Sequence, residues 1–297
     1  MASVADKLTG GAAPVQPRTF PWATVVWFAA LLIAANFPIL ERLVSQWAHD
    51  EDVSHGFFVP LVSGFIVWQR REQILALKMK PAWWGIAVIA WGAAQGYLGT
   101  LAAELFLQRT SVLVVLVGLL LLTGGTPLVR ALAFPLALLL FMIPIPGVIY
   151  NQITFPLQLF ASSVAETSLS LLGIPVLRDG NILELASQKL DVAEACSGIR
   201  SLLSLTFLSL VYAYFFDKRV WMRWALLGFT VPIAILANSF RVTITGILSE
   251  IDTDLARGFF HTLEGWVVFL IAGALLIVVH ACIHRIGRLW AKAGGRA

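Results

Sequence analysis

Charge is scarce in this chain. Only 13% of its 297 residues are Asp, Glu, Lys or Arg, while 59% are hydrophobic and the mean hydropathy is +0.83. A soluble chain carries about a quarter charged residues, so this one cannot clothe its own surface in polar groups and takes lipid as its solvent. Cysteine is scarcer still: Cys196 and Cys282 are the only two. Far apart and in different settings, they exclude a disulfide scaffold and a zinc framework built on thiolates. The net charge of +4 and the pI near 9.3 invite a nucleic-acid partner. No basic face with interleaved aromatics is present, however, and the Lys and Arg residues collect at the ends of apolar runs, where they set topology. Internal repeats and low-complexity segments are absent. A cleavable leader is not expected either, because residues 1–22 are polar and rich in Gly, Ala and Pro, and the first apolar run is long enough to stay in the membrane.

What the chain has in quantity is apolar runs. Eight are counted, near residues 23–40, 55–69, 83–99, 108–123, 129–146, 196–216, 223–248 and 263–284. The expected fold class is therefore all-α, a polytopic membrane helix bundle of about eight transmembrane segments. The expected organisation is a cytoplasmic N-terminal tail over 1–22, a membrane domain over 23–284 and a basic cytoplasmic tail over 285–297. The largest loop covers about 147–195. Within it, Phe155, Leu159 and Ser162-Ser163 recur at helical spacing over 151–172, which predicts an amphipathic helix at the membrane. Beyond it, Ile174 to Leu185 alternate around Asp179-Gly180-Asn181, which predicts a small hairpin.

Orientation follows from where the positive charge lies. Arg70, Arg71, Lys78 and Lys80 follow the second segment, Lys218, Arg219 and Arg223 separate the sixth from the seventh, and Arg285, Arg288, Lys292 and Arg296 close the chain. All three groups are cytoplasmic if eight segments alternate from a cytoplasmic N-terminus. The acidic stretches Asp50-Glu51-Asp52 and Glu250 to Asp254 then face outward.

That map brings three chemically capable residues to one membrane depth. Cys196 opens the sixth segment in Glu194-Ala195-Cys196-Ser197-Gly198-Ile199-Arg200; Arg241 lies in the outer third of the seventh; His261 stands just before the eighth. A helix start and a nearby cation such as Arg200 favour the thiolate. A charge within a spanning helix costs ~2.5 kcal/mol or more, and such residues usually line a bundle interior. Asn238 shares the face of Arg241, and Glu264 follows His261 by one turn. Each residue also has a plainer reading. Cys196 can be a small core filler, Arg241 can snorkel or pair with Glu250, His261 can be an interfacial histidine, and Arg200 can pair with Glu194. Asp52 and His55, on the outer side, are candidates for substrate binding or ordinary interfacial groups. His280, Cys282 and His284, at the inner end of the last segment, read as structural.

Together the three suit acyl transfer: a thiolate attacks a carbonyl, an imidazole moves protons, and a guanidinium stabilises the oxyanion. From the residues alone this is a membrane cysteine acyltransferase or protease. A transporter or flippase for a lipid-linked envelope precursor is the alternative, with Arg241 and His261 holding phosphate or relaying protons. That alternative predicts ionisable residues paired at mid-bilayer across an internal repeat.

Glu194 to Leu203, Ala237-Asn238-Ser239-Phe240-Arg241-Val242 and the isolated His261 resemble the three signature regions of the exosortase/archaeosortase family. Ser54 to Pro60 and Pro144-Ile145-Pro146 resemble it as well, so the likeness spans roughly 20–284. These are polytopic membrane enzymes held to act like sortases on a different fold. The resemblance implies substrates that are secreted proteins with a C-terminal tripartite sorting signal: a Pro-Glu-Pro-type motif, a hydrophobic helix and a basic end. It implies Cys196 as nucleophile, Arg241 as transition-state stabiliser and His261 as acid/base, with an acceptor such as a lipid or polysaccharide precursor. The implied location is the inner membrane, with the site facing the periplasm. No cofactor, metal or nucleic acid is implied.

Overall fold

The structure, a computed structural model, describes residues 22–192, 198–217, 219–251 and 259–294, with side chains described except at 22, 51, 198–201, 259–265 and 287–294. It is mostly helical. Among the described residues, Leu105–Ala131, Val220–Ile251 and Trp266–Ile286 are each long and apolar enough to cross a membrane. Two further pairs qualify together but are bent, Ala23–Ala35 with Phe37–His49 by 79° and Ala133–Met142 with Gly147–Leu171 by 85°, so up to five spans are present if each pair counts as one. The chain divides into two compact units, the described residues up to Arg42 with Val62–Ala137, and Leu43–Leu61 with the described residues from Leu138 onward.

The first unit holds α1 (Trp22–Ala35), the start of α2 (Phe37–His49), most of α3 (Phe58–Gln69), α4 (Arg71–Leu75), α5 (Gly85–Leu101), α6 (Leu105–Ala131) and nearly all of α7 (Ala133–Leu138). The first apolar run is broken at Asn36, whose side-chain amide donates to the Leu32 carbonyl at 2.9 Å. Pro38 has no N–H to continue the ladder, so a new helix starts there. The pair α5 and α6 forms a close helical hairpin. A Cβ added at Gly85 would lie 2.7 Å from the Leu122 nitrogen, and one at Gly118 would lie 2.9 Å from the Ile89 nitrogen. Small residues at such positions let backbones approach without a hydrophobic driving force, which lipid does not supply between helices. Within the range of α6 the chain leaves helical geometry at Gly125 (φ 73°, ψ −165°). Here the Lys80 carbonyl oxygen occupies the place a side chain would need, and the Lys80 N–H donates to Gly124 at 3.1 Å. Only glycine fits. This turn separates the fourth apolar run from the fifth.

The second unit carries the functional candidates. It contains a short 3-10 helix (Glu51–Phe57), another at Leu139–Met142, α8 (Gly147–Leu171), strands β1 (Val176–Asp179), β2 (Ile182–Leu185) and β3 (Lys189–Asp191), then α9 (Gly198–Phe216), α10 (Val220–Ile251) and α11 (Phe259–Gly294). The amphipathic helix expected over 151–172 is α8, which buries Thr154, Ala161, Ser162, Ala165 and Leu169 on one face. The expected hairpin is β1–β2, paired antiparallel with Asp179 opposite Ile182. A third strand extends it in the order β1-β2-β3. Arg178 ties the sheet to Glu166 of α8 at 2.7 Å. The last apolar run continues as helix through Gly294, so the stretch read as a tail is helical that far.

Two apolar clusters meet along α10. One joins Ala161, Ala165 and Leu169 to Leu183, Leu185, Leu190 and Val242. The other joins Leu205 and Ala213 of α9 to Leu226, Ile233 and Ala237 of α10 and to Val268, Ala272 and Leu276 of α11. Before α8 the chain turns a corner braced by protein donors. The Trp47 indole donates to the Met142 carbonyl at 3.0 Å, and His55 Nε2 meets the Phe141 carbonyl oxygen at 3.1 Å. Gly56 abuts the Trp47 indole, which leaves no room for a side chain there.

Candidate active site

The helix α10 is inside out in the way lipid demands. Leu236 and Phe240 are 60% and 50% exposed, whereas Asn238 and Arg241 are each only 6% exposed. Buried positions Ala234, Ala237, Asn238, Arg241, Thr245 and Ser249 recur every three or four residues, which makes one stripe. Hydroxyls on this helix are satisfied locally: Thr245 donates to the Arg241 carbonyl at 3.0 Å and Ser239 to that of Ile235 at 2.9 Å. Asn238 and Arg241 therefore present their polar ends to the protein interior, between Ala237 of one apolar cluster and Val242 of the other. Burial of Arg241 within a membrane-length helix agrees with the expectation that it lines the bundle and not the lipid.

The helices α9, α10 and α11 pack on one another. Only three residues of sequence separate α9 from α10 at the turn between them, so these neighbours run antiparallel. Counting back from that turn at about 1.5 Å per residue, the start of α9 is level with Asn238. Arg200 lies in the first turn of α9, and Cys196 lies outside the described residues. His261 stands in the first turn of α11, with Glu264 one turn further.

Asp52 and His55 sit on the 3-10 helix that packs against both α9 and Leu139–Met142. Asp52 Oδ2 accepts from the Tyr150 hydroxyl at 3.3 Å, so both residues contribute to the corner described above. Sequence reasoning did not single out Tyr150, whose link to Asp52 is long-range and leaves no local spacing to read.

A second polar group lies at the other end of α9. Asp217 receives hydrogen bonds from His280 and His284 of α11. Burial opposes ionisation of its carboxyl, yet the Arg219 N–H and the two imidazoles outweigh burial and hold its pKa below the ordinary value. The sequence places both histidines at the inner end of the last segment, where they read as structural. Asp217 carries no such signal, since Lys218, Arg219 and Arg223 follow it in the sequence.

Comparison with known families settles the wider identity. The model of the transmembrane exosortase family matches residues 47–278. The chain belongs to that family. The matched stretch takes in Asp52, His55, Cys196, Arg200, Asn238, Arg241, His261 and Glu264. Searches of curated proteins and of solved structures return no match.

Proposed function

We propose that this exosortase is a membrane-embedded cysteine protease and transpeptidase that removes C-terminal sorting signals from secreted proteins. Cys196 attacks the carbonyl carbon at the cleavage point, forming a C–S bond and an oxyanion that Arg241 stabilises. His261 protonates the departing amine as the C–N bond breaks, leaving a thioester. It then takes a proton from the incoming nucleophile, water or an acceptor amine or hydroxyl, and the C–S bond breaks. Arg200 favours the thiolate, Asn238 supports Arg241, and Glu264 orients the imidazole. Asp52 and His55 contact the substrate motif from the segment that packs on α9. The reading includes eight spans in the inner membrane, with these groups on the periplasmic side. It takes the sorting signal to be a Pro-Glu-Pro-type motif, a hydrophobic helix and a basic end, and the acceptor to be a lipid or polysaccharide precursor.

The observation that carries this reading is the burial of Arg241 on one stripe with Asn238 in an apolar helix of membrane length. An ionisable residue inside a spanning helix is costly and marks a functional site, and a guanidinium is suited to the negative charge that develops on an attacked carbonyl. The test is processing of a co-expressed secreted reporter bearing such a signal. Cys196→Ala removes one small thiol and little packing, so the protein should remain folded in the membrane while the reporter stays uncleaved. The wild type should yield a hydroxylamine-sensitive acyl-enzyme. Cleavage by Cys196→Ala at the wild-type rate would remove the covalent mechanism.

A further inference from the structure

Asp217, His280 and His284 form a three-ligand set whose ligating atoms all lie within 4.8 Å of one another. Asp217 Oδ2 is 2.8 Å from His284 Nε2 and 3.3 Å from His280 Nε2. Ligands around a tetrahedral zinc ion, each about 2.0–2.2 Å from it, stand about 3.3 Å apart. The His280 separation already has that value, and His284, whose side chain is 34% exposed, has room to adjust.

Two of the three ligands are also held from behind. Asp217 Oδ1 accepts from the Arg219 N–H at 2.7 Å, which turns Oδ2 toward the two rings. The Tyr212 hydroxyl lies 2.8 Å from His280 Nδ1, the ring nitrogen opposite the ligating one. Metal-bound histidines almost always donate their second ring N–H to such a partner, which fixes tautomer and ring orientation. Tyr212 is itself stacked on Phe216, with ring centroids 4.7 Å apart. The Arg223 guanidinium is engaged away from the carboxylate: it donates to the Asp217 backbone carbonyl at 3.0 Å and lies over the Tyr214 ring. Finally, Asp217 follows the last residue of α9, where the negative end of the helix dipole favours a cation.

We infer that Asp217 Oδ2, His280 Nε2 and His284 Nε2 bind one zinc-class divalent ion, which clamps the turn between α9 and α10 onto α11. The donor set of two imidazoles and one carboxylate suits zinc or cobalt over calcium or magnesium. The exposed side of His284 leaves a fourth position for water. With neutral rings no proton is lost: on binding, the N–H of each ring moves from Nε2 to Nδ1, and in His280 it then donates to Tyr212. The site is independent of the proposed peptidase chemistry, which lies a helix length away.

The test uses the full-length protein in detergent, purified on a tag without histidine and with both thiols alkylated. After equilibration with Zn2+ and desalting, elemental analysis should find about one ion per chain. Co2+ in its place should give the intense visible bands of a tetrahedral site. His284→Ala and Asp217→Asn should each abolish retention. Tyr212→Phe, which keeps the ring and its stack, should weaken binding ~10-fold or more. If either ligand variant misfolds, the cobalt spectrum of the wild type and its loss of affinity in Tyr212→Phe decide the matter. A wild-type protein that retains no zinc, or variants that retain it equally, would overturn the assignment and leave a hydrogen-bonded cluster only.

Discussion

Arg241 concentrates the chemistry of this chain at the scale of one side chain. It sits on the buried stripe of α10 while its sequence neighbours Leu236 and Phe240 face outward. If it clamps an oxyanion, its value lies in a planar fork of donors, and lysine offers only a compact point charge. Arg241→Lys should therefore lower the rate of reporter processing ~100-fold or more, the usual cost of losing one such donor. Arg200→Lys should keep much of the activity, since a thiolate needs only nearby charge. Rates measured in membrane vesicles would check both, and full activity in Arg241→Lys would show that charge alone suffices. The sequence singles out Arg241 because an Arg in an apolar run is costly wherever it occurs, and the structure buries it. It does not single out Asp217, which lies 63 residues from His280 and 67 from His284, with no local pattern to join them.

The elements divide in the same way. The β1–β2 hairpin was legible because Asp179-Gly180-Asn181 names its own turn, with Gly180 at φ 63°. The third strand was not: Lys189-Leu190-Asp191 is three residues long, and only pairing with β2 makes it a strand. The bend of the first apolar run was written locally in Asn36-Phe37-Pro38, although composition alone reads straight through it. The closeness of α5 and α6 depends on which glycines face each other, which a single chain does not reveal. Gly118→Val should push α6 off the Ile89 backbone and destabilise the hairpin by about 1–3 kcal/mol, the usual cost of overpacking. Gly228→Ala in α10, where nothing lies within 4 Å of the added carbon, should be neutral or stabilising. Thermal aggregation of the two variants in detergent would separate these outcomes, and equal behaviour would show that the α5–α6 contact is not tight.

At the scale of the whole molecule, lipid was legible from composition, and the basic clusters supply the orientation to be tested. The number of crossings depends on more than hydropathy, since two of the long apolar stretches are bent by 79° and 85°. The proposed arrangement makes a clear statement about sidedness. A thiol reagent that cannot cross membranes should label Cys196 in intact spheroplasts. Cys282, which is exposed on α11, should react only after the membrane is opened. Labelling of position 196 from the cytoplasmic side alone would overturn both the eight-span topology and the sidedness of the reaction.

The corner ahead of α8 has a consequence for motion. A helix break leaves backbone carbonyl oxygens without their intrahelical donors. Here an imidazole and an indole supply donors to the carbonyls of Phe141 and Met142. Straightening the chain at this point would strip both donors at once, at the usual cost of two lost hydrogen bonds. The corner is therefore a braced joint, and loss of the indole donor in Trp47→Phe should loosen the link between the end of α2 and the chain entering α8.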